Sequence, residues 1–385
     1  MPARQSPVLI AFSGFLCLVL AMGIGRFAYT PVLPVMLGDG LLDVGTAGII
    51  ASVHFIGYAM GAFAGAYGIA TPRKILMASL VIIVVSTVAM GVTDSHYAWL
   101  GARWLAGFCS ALILIIVSTY HIRSLTGPEH SNLQGWVFAG VGAGILLVGV
   151  AVLAMMILRV PSYMMWLWFG GLALAGSIYL CVQRIDFDRP SADAAAGEEI
   201  RKTPLSWAII LPYAAMGFGY IVPATYLPVM AQEILPSPLI FGLGWPVFGA
   251  AAAVSTVLIG QLQSRYSNRQ IWLAAQVVMA LGLLAPAVSQ SIAAIIIAAL
   301  CVGGTFMVIT MAGMKEAHRI AGPGDAQRHV AVMTFAFATG QIAGPIAAGW
   351  AFEKLGGFSY PLILAGILLI ISLVPMLKGL SRRQP

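Results

Sequence analysis

Long apolar runs broken by short polar connections recur along the whole chain. They cover 8–37, 46–70, 74–93, 98–122, 132–158 and 162–183, then 206–233, 238–262, 269–289, 291–317, 327–354 and 357–379. Each is long enough to cross about 30 Å of hydrocarbon as a helix, which takes roughly 20 residues. The runs do not show the ten-residue alternation of transmembrane β-strands. The pattern predicts an all-α integral membrane protein of twelve spanning helices. Between the sixth and seventh runs, Arg184 to Thr203 forms a long charged stretch with an Ala- and Gly-rich centre, which reads as a linker. The expected organisation is a six-helix half over 1–183, a linker over 184–205 and a second six-helix half over 206–385.

Landmarks of the first half return in the second. Leu33-Pro34-Val35-Met36 recurs as Leu227-Pro228-Val229-Met230, a shift of 194 that also carries Gly23 and Gly25 onto Gly217 and Gly219. Gly65 maps onto Gly260 and Gly127-Pro128 onto Gly322-Pro323 at 195, and Gly140, Ala143 and Gly144 map onto Gly340, Ala343 and Gly344 at 200. Single matches mean little in a Gly-rich membrane protein; four sets in order at nearly constant offset mark an internal repeat. The offset pairs span 1 with span 7. Six spans is an even number, so the halves are parallel repeats, with a substrate site expected between them near the midplane. Helices interrupted by Pro at matching places point to that site. Pro31 and Pro34 do so in span 1, and Pro223 and Pro228 in span 7.

Composition agrees. The chain has 385 residues, 60% hydrophobic and 9% charged, where a soluble domain carries about a quarter charged. The formal charge of +7 comes from residues dispersed in the connections, which argues against a nucleic-acid partner. With the N-terminus placed in the cytoplasm, sixteen of twenty Lys and Arg fall on the inner side. Arg159 and Lys354 lie outside, and Arg26 and Arg103 lie within spans. The positive-inside rule then puts both termini in the cytoplasm. Cys17, Cys109, Cys181 and Cys301 sit in apolar runs without metal-ligand spacing, so neither metal nor cofactor is expected. The N-terminal run reads as the first span rather than a cleaved signal. Both halves of the site lie in one chain, so a monomer is expected.

Several motifs resemble the major facilitator superfamily, across essentially the whole chain. Gly65-Ala-Tyr-Gly-Ile-Ala-Thr-Pro-Arg73-Lys74 is similar to its cytoplasmic loop motif, with Ile69 where that motif has Asp. The repeat of this motif, from Gly260 to Arg265 and Arg269, also lacks the acid. Arg103-x-Leu105-x-Gly107-x-x-x-Ala111 is similar to the fourth-helix motif, while span 5 lacks the proline of the antiporter motif. Gly23-Ile-Gly25-Arg26-Phe27-Ala-Tyr29-Thr30-Pro31-Val-Leu33-Pro34-Val-Met36 resembles the signature of the YbfB/YjiJ-type subgroup of bacterial facilitators. The resemblance implies two parallel six-helix repeats, alternating access, a place in the bacterial inner membrane, and gating roles for Gly65, Arg73, Lys74, Arg265 and Arg269.

Arg26 is the sharpest single feature. A charged residue in a span is expected to face a cavity or a partner, and this one lies eighteen residues into its run, about 27 Å at 1.5 Å per residue. Three roles fit it: binding an anionic substrate through its planar fork, bonding carbonyls freed by Pro31 and Pro34, or pairing with Asp39 or Asp43. Tyr29 and Thr30 follow at i+3 and i+4 on its face. Tyr213 and Tyr220, seven apart, share one face of span 7. A packed or interfacial aromatic is the plainer reading of each Tyr taken alone. His54 and Arg103 stand at depths similar to Arg26, as a candidate polar layer, and His54 is a candidate carrier of a coupling proton. His121, five turns after Arg103, faces the same way.

All thirteen acidic residues lie in loops or near span ends, which argues against carboxylate-based proton symport. No phosphate-binding loop is present and no nucleophile–base pair has convincing spacing, so neither ATP hydrolysis nor an enzyme is expected. The leading expectation is a secondary or facilitative transporter of a small organic anion such as a carboxylate. The alternatives are an efflux transporter for apolar or cationic compounds, and a non-transporting sensor or scaffold on the same fold.

Overall fold

A bilayer leaves backbone amides no water to bond, so a spanning segment satisfies them within its own helix. The computed structural model describes residues 6–125, 130–183, 202–234, 242–262, 265–289, 291–322, 325–355 and 359–380, and no strand occurs among them. They form twelve helical rods. In the first half these are α1 (Pro7–Gly38), α2 (Val44–Ala66), α3 (Pro72–Val92), α4 (His96–Ser124), α5 (Ser131–Ile157) and α6 (Ser162–Val182). In the second they are α7 (Trp207–Ile234), α8 (Gly244–Leu262), α9 (Asn268–Val288), α10 (Ile292–Ile320), α11 (Ala326–Leu355) and α12 (Ser359–Ile371, continued by Val374–Leu380). Among the described residues, eleven stretches are both long and apolar enough to cross a membrane. α11 is 30 residues long and buries His329, Thr334 and Gln341.

Local chemistry sets the ends. Asp43 accepts from Thr46 N at 2.8 Å at the start of α2, which satisfies one orphan donor of that terminus. This amide and the Thr46 hydroxyl hold the Asp43 carboxyl below its usual range. Ser267 and Gln270 form a reciprocal capping box on α9, and Ser95 and Ser291 cap α4 and α10. α2 stops at Ala66, four residues before the expected end, because Gly68 turns the chain at φ +105° ahead of Pro72. Residues 184–201 of the expected linker lie outside the described residues. At its end, Thr203 donates through N and Oγ1 to Asp325 Oδ2 at 2.8 and 2.9 Å.

The repeat glycines mark the same helix crossing in each half. A side chain on Gly23 would meet Gly144 Cα at 2.5 Å, and one on Gly140 would meet Phe15 O at 2.3 Å, so α1 and α5 touch backbone to backbone. In the second half a side chain on Gly217 would overlap Phe337 O and one on Gly340 would overlap Ala214 O, which brings α7 onto α11. Between the halves, α5 packs along α8: Gly142 abuts Ala253 N, Gly249 abuts Leu146 N, and Gly149 lies against Pro246.

The expected Pro interruptions differ between the halves. α7 continues through Pro223 and Pro228 as one helix of 28 residues, so no break appears there. α1 is broken ahead of its prolines, where Val19–Phe27 winds as a π-helix.

Candidate functional site

The π-segment is buried throughout, and winding it to an i→i+5 pattern changes which amide serves which carbonyl. In that register Arg26 O looks to residue 31, and Pro31 has no N–H. α4 supplies the donor for Arg26 O and bonds two further carbonyls of the segment. Arg103 donates from Nη1 to Gly25 O at 2.9 Å and from Nη2 to Arg26 O at 3.0 Å, and Ser110 Oγ donates to Ala21 O at 2.8 Å. Seven residues apart, Arg103 and Ser110 share a helix face. His121, farther along α4, sets Nε2 2.8 Å from Ile10 O and 3.3 Å from Ser13 Oγ. Arg103 and His121 therefore tie α4 to α1, and the bonds to freed carbonyls that were one expected role of Arg26 belong to Arg103.

Tyr29 leaves the face expected for it. Its ring lies under the Arg103 guanidinium, 5.0 Å from Cζ to centroid, and its hydroxyl donates to Ala47 O at 3.0 Å. Asp39 accepts from Ser162 N at 2.8 Å, and Asp43 caps α2. Neither acid pairs with Arg26.

Arg26 is 3% exposed, and none of its three guanidinium nitrogens makes a hydrogen bond of ordinary geometry among the described residues; the acceptors within its reach are the hydroxyls of Tyr58 and Tyr220. Its Cζ lies 4.6 Å from the centroid of Tyr58, 5.0 Å from Phe27, 5.7 Å from Phe55 and 5.8 Å from Phe337. A desolvated cation–π contact is worth about 2 kcal/mol, against roughly 2.5–3.5 kcal/mol for placing an Arg in a span. The rings thus offset much of the cost of the charge. They leave most of the N–H donors, five on a guanidinium, without acceptors. The hydroxyls of Tyr58 and Tyr220 have no partner of ordinary geometry, and both reach toward the Arg26 guanidinium.

Arg26, Tyr58, Tyr213, Tyr220, Thr310 and Phe337 line one small cavity between the halves, together with Met22, Phe27, Leu114, Val141, Phe306 and Met307. The cavity volume is about 10 Å³, room for roughly one water. No Asp or Glu lines it. Tyr220 stacks on Phe306 at 5.1 Å and 13°, and on Phe337 at 6.1 Å and 19°. Of the expected substrate residues, the structure brings Arg26, Tyr213 and Tyr220 together and leaves Tyr29 and Thr30 out. His54 is buried in α2, one turn from Tyr58, and does not line the cavity.

At the end of the bundle where α1 begins, called the basic end below, the halves meet again. Gln327 Nε2 of α11 donates to Gly65 O of α2 at 3.2 Å, and Phe63 lies 5.8 Å from Phe335 across the same pair. The acid missing from the loop before α9 is supplied by α10, where buried Glu316 accepts from Arg269 and Arg319. Lys74 and Arg265 are exposed and Arg73 is half-buried.

Sequence reasoning missed Tyr58 and the rings of Phe55, Phe306 and Phe337. One signal pointed to Tyr58: it follows His54 at i+4, on the face already singled out. The phenylalanines carry no polar atom that would set them apart from packing residues.

Comparison with known proteins follows the same outline. A family profile described as "Uncharacterised MFS-type transporter YbfB" matches residues 18–377. An uncharacterised MFS-type transporter of Enterobacter sp. (strain 638) is 22% identical over 402 residues, covering all of this chain and 99% of that protein. The MFS-type transporter YcaD of Escherichia coli is 24% identical over 190 residues, 48% of this chain and 47% of its own length. Among solved structures, the human organic anion transporter MFSD10 superposes with a TM-score of 0.74 at 15% identity, covering 97% of this chain and all of that one. The transporter FucP in its outward conformation gives 0.73 at 12%, covering 99% and 100%.

Proposed function

The chain belongs to the YbfB-type family of major facilitator superfamily transporters, and from that premise we propose that it carries a small organic anion across the membrane by alternating access, with Arg26 as the group that binds the charge. It is a multi-pass membrane transporter rather than an enzyme. The single observation that carries the anion reading is Arg26 itself: a buried guanidinium lining a cavity between the halves, with no Asp or Glu beside it in that lining. A carboxylate supplies two acceptor oxygens in the plane of that fork. The unbonded hydroxyls of Tyr58 and Tyr220 add two donors from opposite halves. The likeness to MFSD10 supports the fold alone, so the reading stands on this chain's own residues.

In this reading the membrane is a bacterial inner membrane, the basic end faces the cytoplasm, the protein works as a monomer, and any coupling proton travels with the substrate or through His54. The aromatic lining would also suit a lipophilic cation, but Arg26 sits among those rings and repels one.

The test is thermal stabilisation of the purified protein by a panel of carboxylates, sulfonates, sugars and amines, repeated on Arg26→Lys and Arg26→Gln. Stabilisation by anions, weaker in Lys and lost in Gln, is the expected result. A wild type stabilised by lipophilic amines alone, or an anion response unchanged in Arg26→Gln, sinks the assignment.

A further inference from the structure

We infer that the second half carries a site for one anionic diacyl phospholipid, with an acyl chain in a groove between α8, α9 and α10 and the phosphate at Arg265. The inference goes beyond the transport reading and uses none of the residues around Arg26.

The groove has a volume of about 480 Å³. It opens on the outer surface of the bundle, where Leu258, Leu262 and Val278 of its walls are 53%, 39% and 37% exposed. Large apolar side chains left exposed together on spanning helices are a surface for lipid. Gly304 of α10 is part of the lining, and a Cβ there would meet no atom within 4 Å. The two hydroxyls in the lining are turned back onto their own helices: Ser255 Oγ donates to Ala252 O and Thr305 Oγ1 to Cys301 O. The walls they leave are apolar and suit a hydrocarbon chain. The depth suits one leaflet. From Leu262 and Gln270 at the basic end, the lining climbs α8 to Ser255 and α9 to Val278, roughly 10 to 12 Å at 1.5 Å per residue. One leaflet contributes about 15 Å of hydrocarbon.

The mouth is cationic. The amides of Arg265 and Tyr266 both donate to Leu262 O, at 2.9 and 3.1 Å, so the turn after α8 sets exposed Arg265 between two lining residues, Leu262 and Tyr266. Nearby Arg269 is committed to Glu316, which Arg319 also pairs. No salt bridge among the described residues includes Arg265. Basic residues at the mouth of a groove between spanning helices hold anionic headgroups. A zwitterionic headgroup brings an ammonium toward the same arginines, so the match is to net negative charge.

The internal repeat supplies a contrast. α3 and α4 match α9 and α10 in length at an offset of 196 residues, which places Phe108 at the position of Gly304. Phe108 is half-buried, and its ring stacks on Trp104 at 5.5 Å. One half fills with a ring the position that the other leaves open. The rival account is that any bilayer lipid occupies the groove, without preference of headgroup.

Native mass spectrometry of the delipidated full chain in detergent, titrated with dipalmitoyl phosphatidylglycerol, separates the two. The wild type is expected to bind one phosphatidylglycerol at least about fivefold more tightly than dipalmitoyl phosphatidylethanolamine, the factor that one arginine at an anionic lipid headgroup supplies. Arg265→Gln should remove that preference. Gly304→Phe, which installs the first-half residue in open space, should remove the tight lipid itself. Leu258→Trp, at an exposed wall position, should do the same and serves if Gly304→Phe fails to fold. Glycerol 3-phosphate, the headgroup chemistry without chains, is expected not to compete. Equal affinity of the wild type for the two lipids overturns the anionic site, and tight phosphatidylglycerol retained in the folded groove variants overturns the groove. Full competition by glycerol 3-phosphate overturns the lipid and assigns Arg265 to a free phosphate.

Discussion

Arg26 and Arg103 are 3% and 4% exposed, yet their neighbours divide the work between them. Arg103 spends its fork on two carbonyls of α1 and holds the backbone from which Arg26 projects. Arg26 spends its fork on no carbonyl and lies inside a ring of aromatic faces, with the Tyr58 and Tyr220 hydroxyls in reach. A hydrogen bond to a charged group contributes about 1.5–3 kcal/mol. In Tyr58→Phe and Tyr220→Phe, the affinity for a stabilising anion should therefore fall roughly 10- to 100-fold, measured by titration calorimetry. The rings remain, so the melting temperature of the unliganded protein should stay near wild type. Loss of melting temperature with affinity unchanged would make these tyrosines structural. At this scale the charge was legible and its surroundings were not. Arg26 stands out because a cation in an apolar run is unusual, whereas Phe337 and Phe306 become notable only once folding puts them beside it.

The π-segment of α1 joins this residue chemistry to the helix. Pro31 withholds the donor that Arg26 O would have used, and Arg103 of α4 replaces it while Arg103 and Ser110 bond two further carbonyls of the segment. Pro31→Ala restores the N–H and lets a regular α-helix compete with the π-helix. The variant is expected to melt no lower than wild type, since Pro inside a helix costs about 3 kcal/mol relative to Ala. Anion-driven stabilisation should weaken several-fold, as Arg26 turns away from Tyr58 and Tyr220. Unchanged anion binding would show that the winding of α1 does not aim Arg26. The prolines were read from the chain as interruptions of both α1 and α7, yet α7 runs unbroken through Pro223 and Pro228. A proline removes one bond; whether the helix rewinds depends on what the neighbouring helix supplies. The repeat glycines were more legible, because the contact they allow, backbone against backbone at Gly23–Gly144 and Gly217–Phe337, admits no larger residue.

Across the whole molecule the halves touch at the cavity, along α5 and α8, and at the basic end through Gln327–Gly65 and Phe63–Phe335. If the halves rock about the cavity, the basic-end contacts have to part in each cycle. Linking Phe63→Cys to Phe335→Cys with a short bismaleimide should abolish uptake while leaving anion stabilisation of the purified protein in place, and each single variant treated alike should transport normally. Transport at full rate in the linked protein would show that this contact does not open. At this scale the sequence by itself determined a great deal: twelve spans, the repeat, the pairing of α1 with α7, and the position of one charge. Burying a helix in hydrocarbon demands a length and an apolarity that are written residue by residue, and a duplicated half carries its offset in plain view. Only the tertiary structure decided which arginine is spent and which is free, that Tyr29 turns toward α2, that Tyr58 completes the cavity, and that α10 supplies the acid for Arg269. Each of these depends on which side chain meets which carbonyl or ring across a helix interface, a distance the linear spacing of residues does not contain.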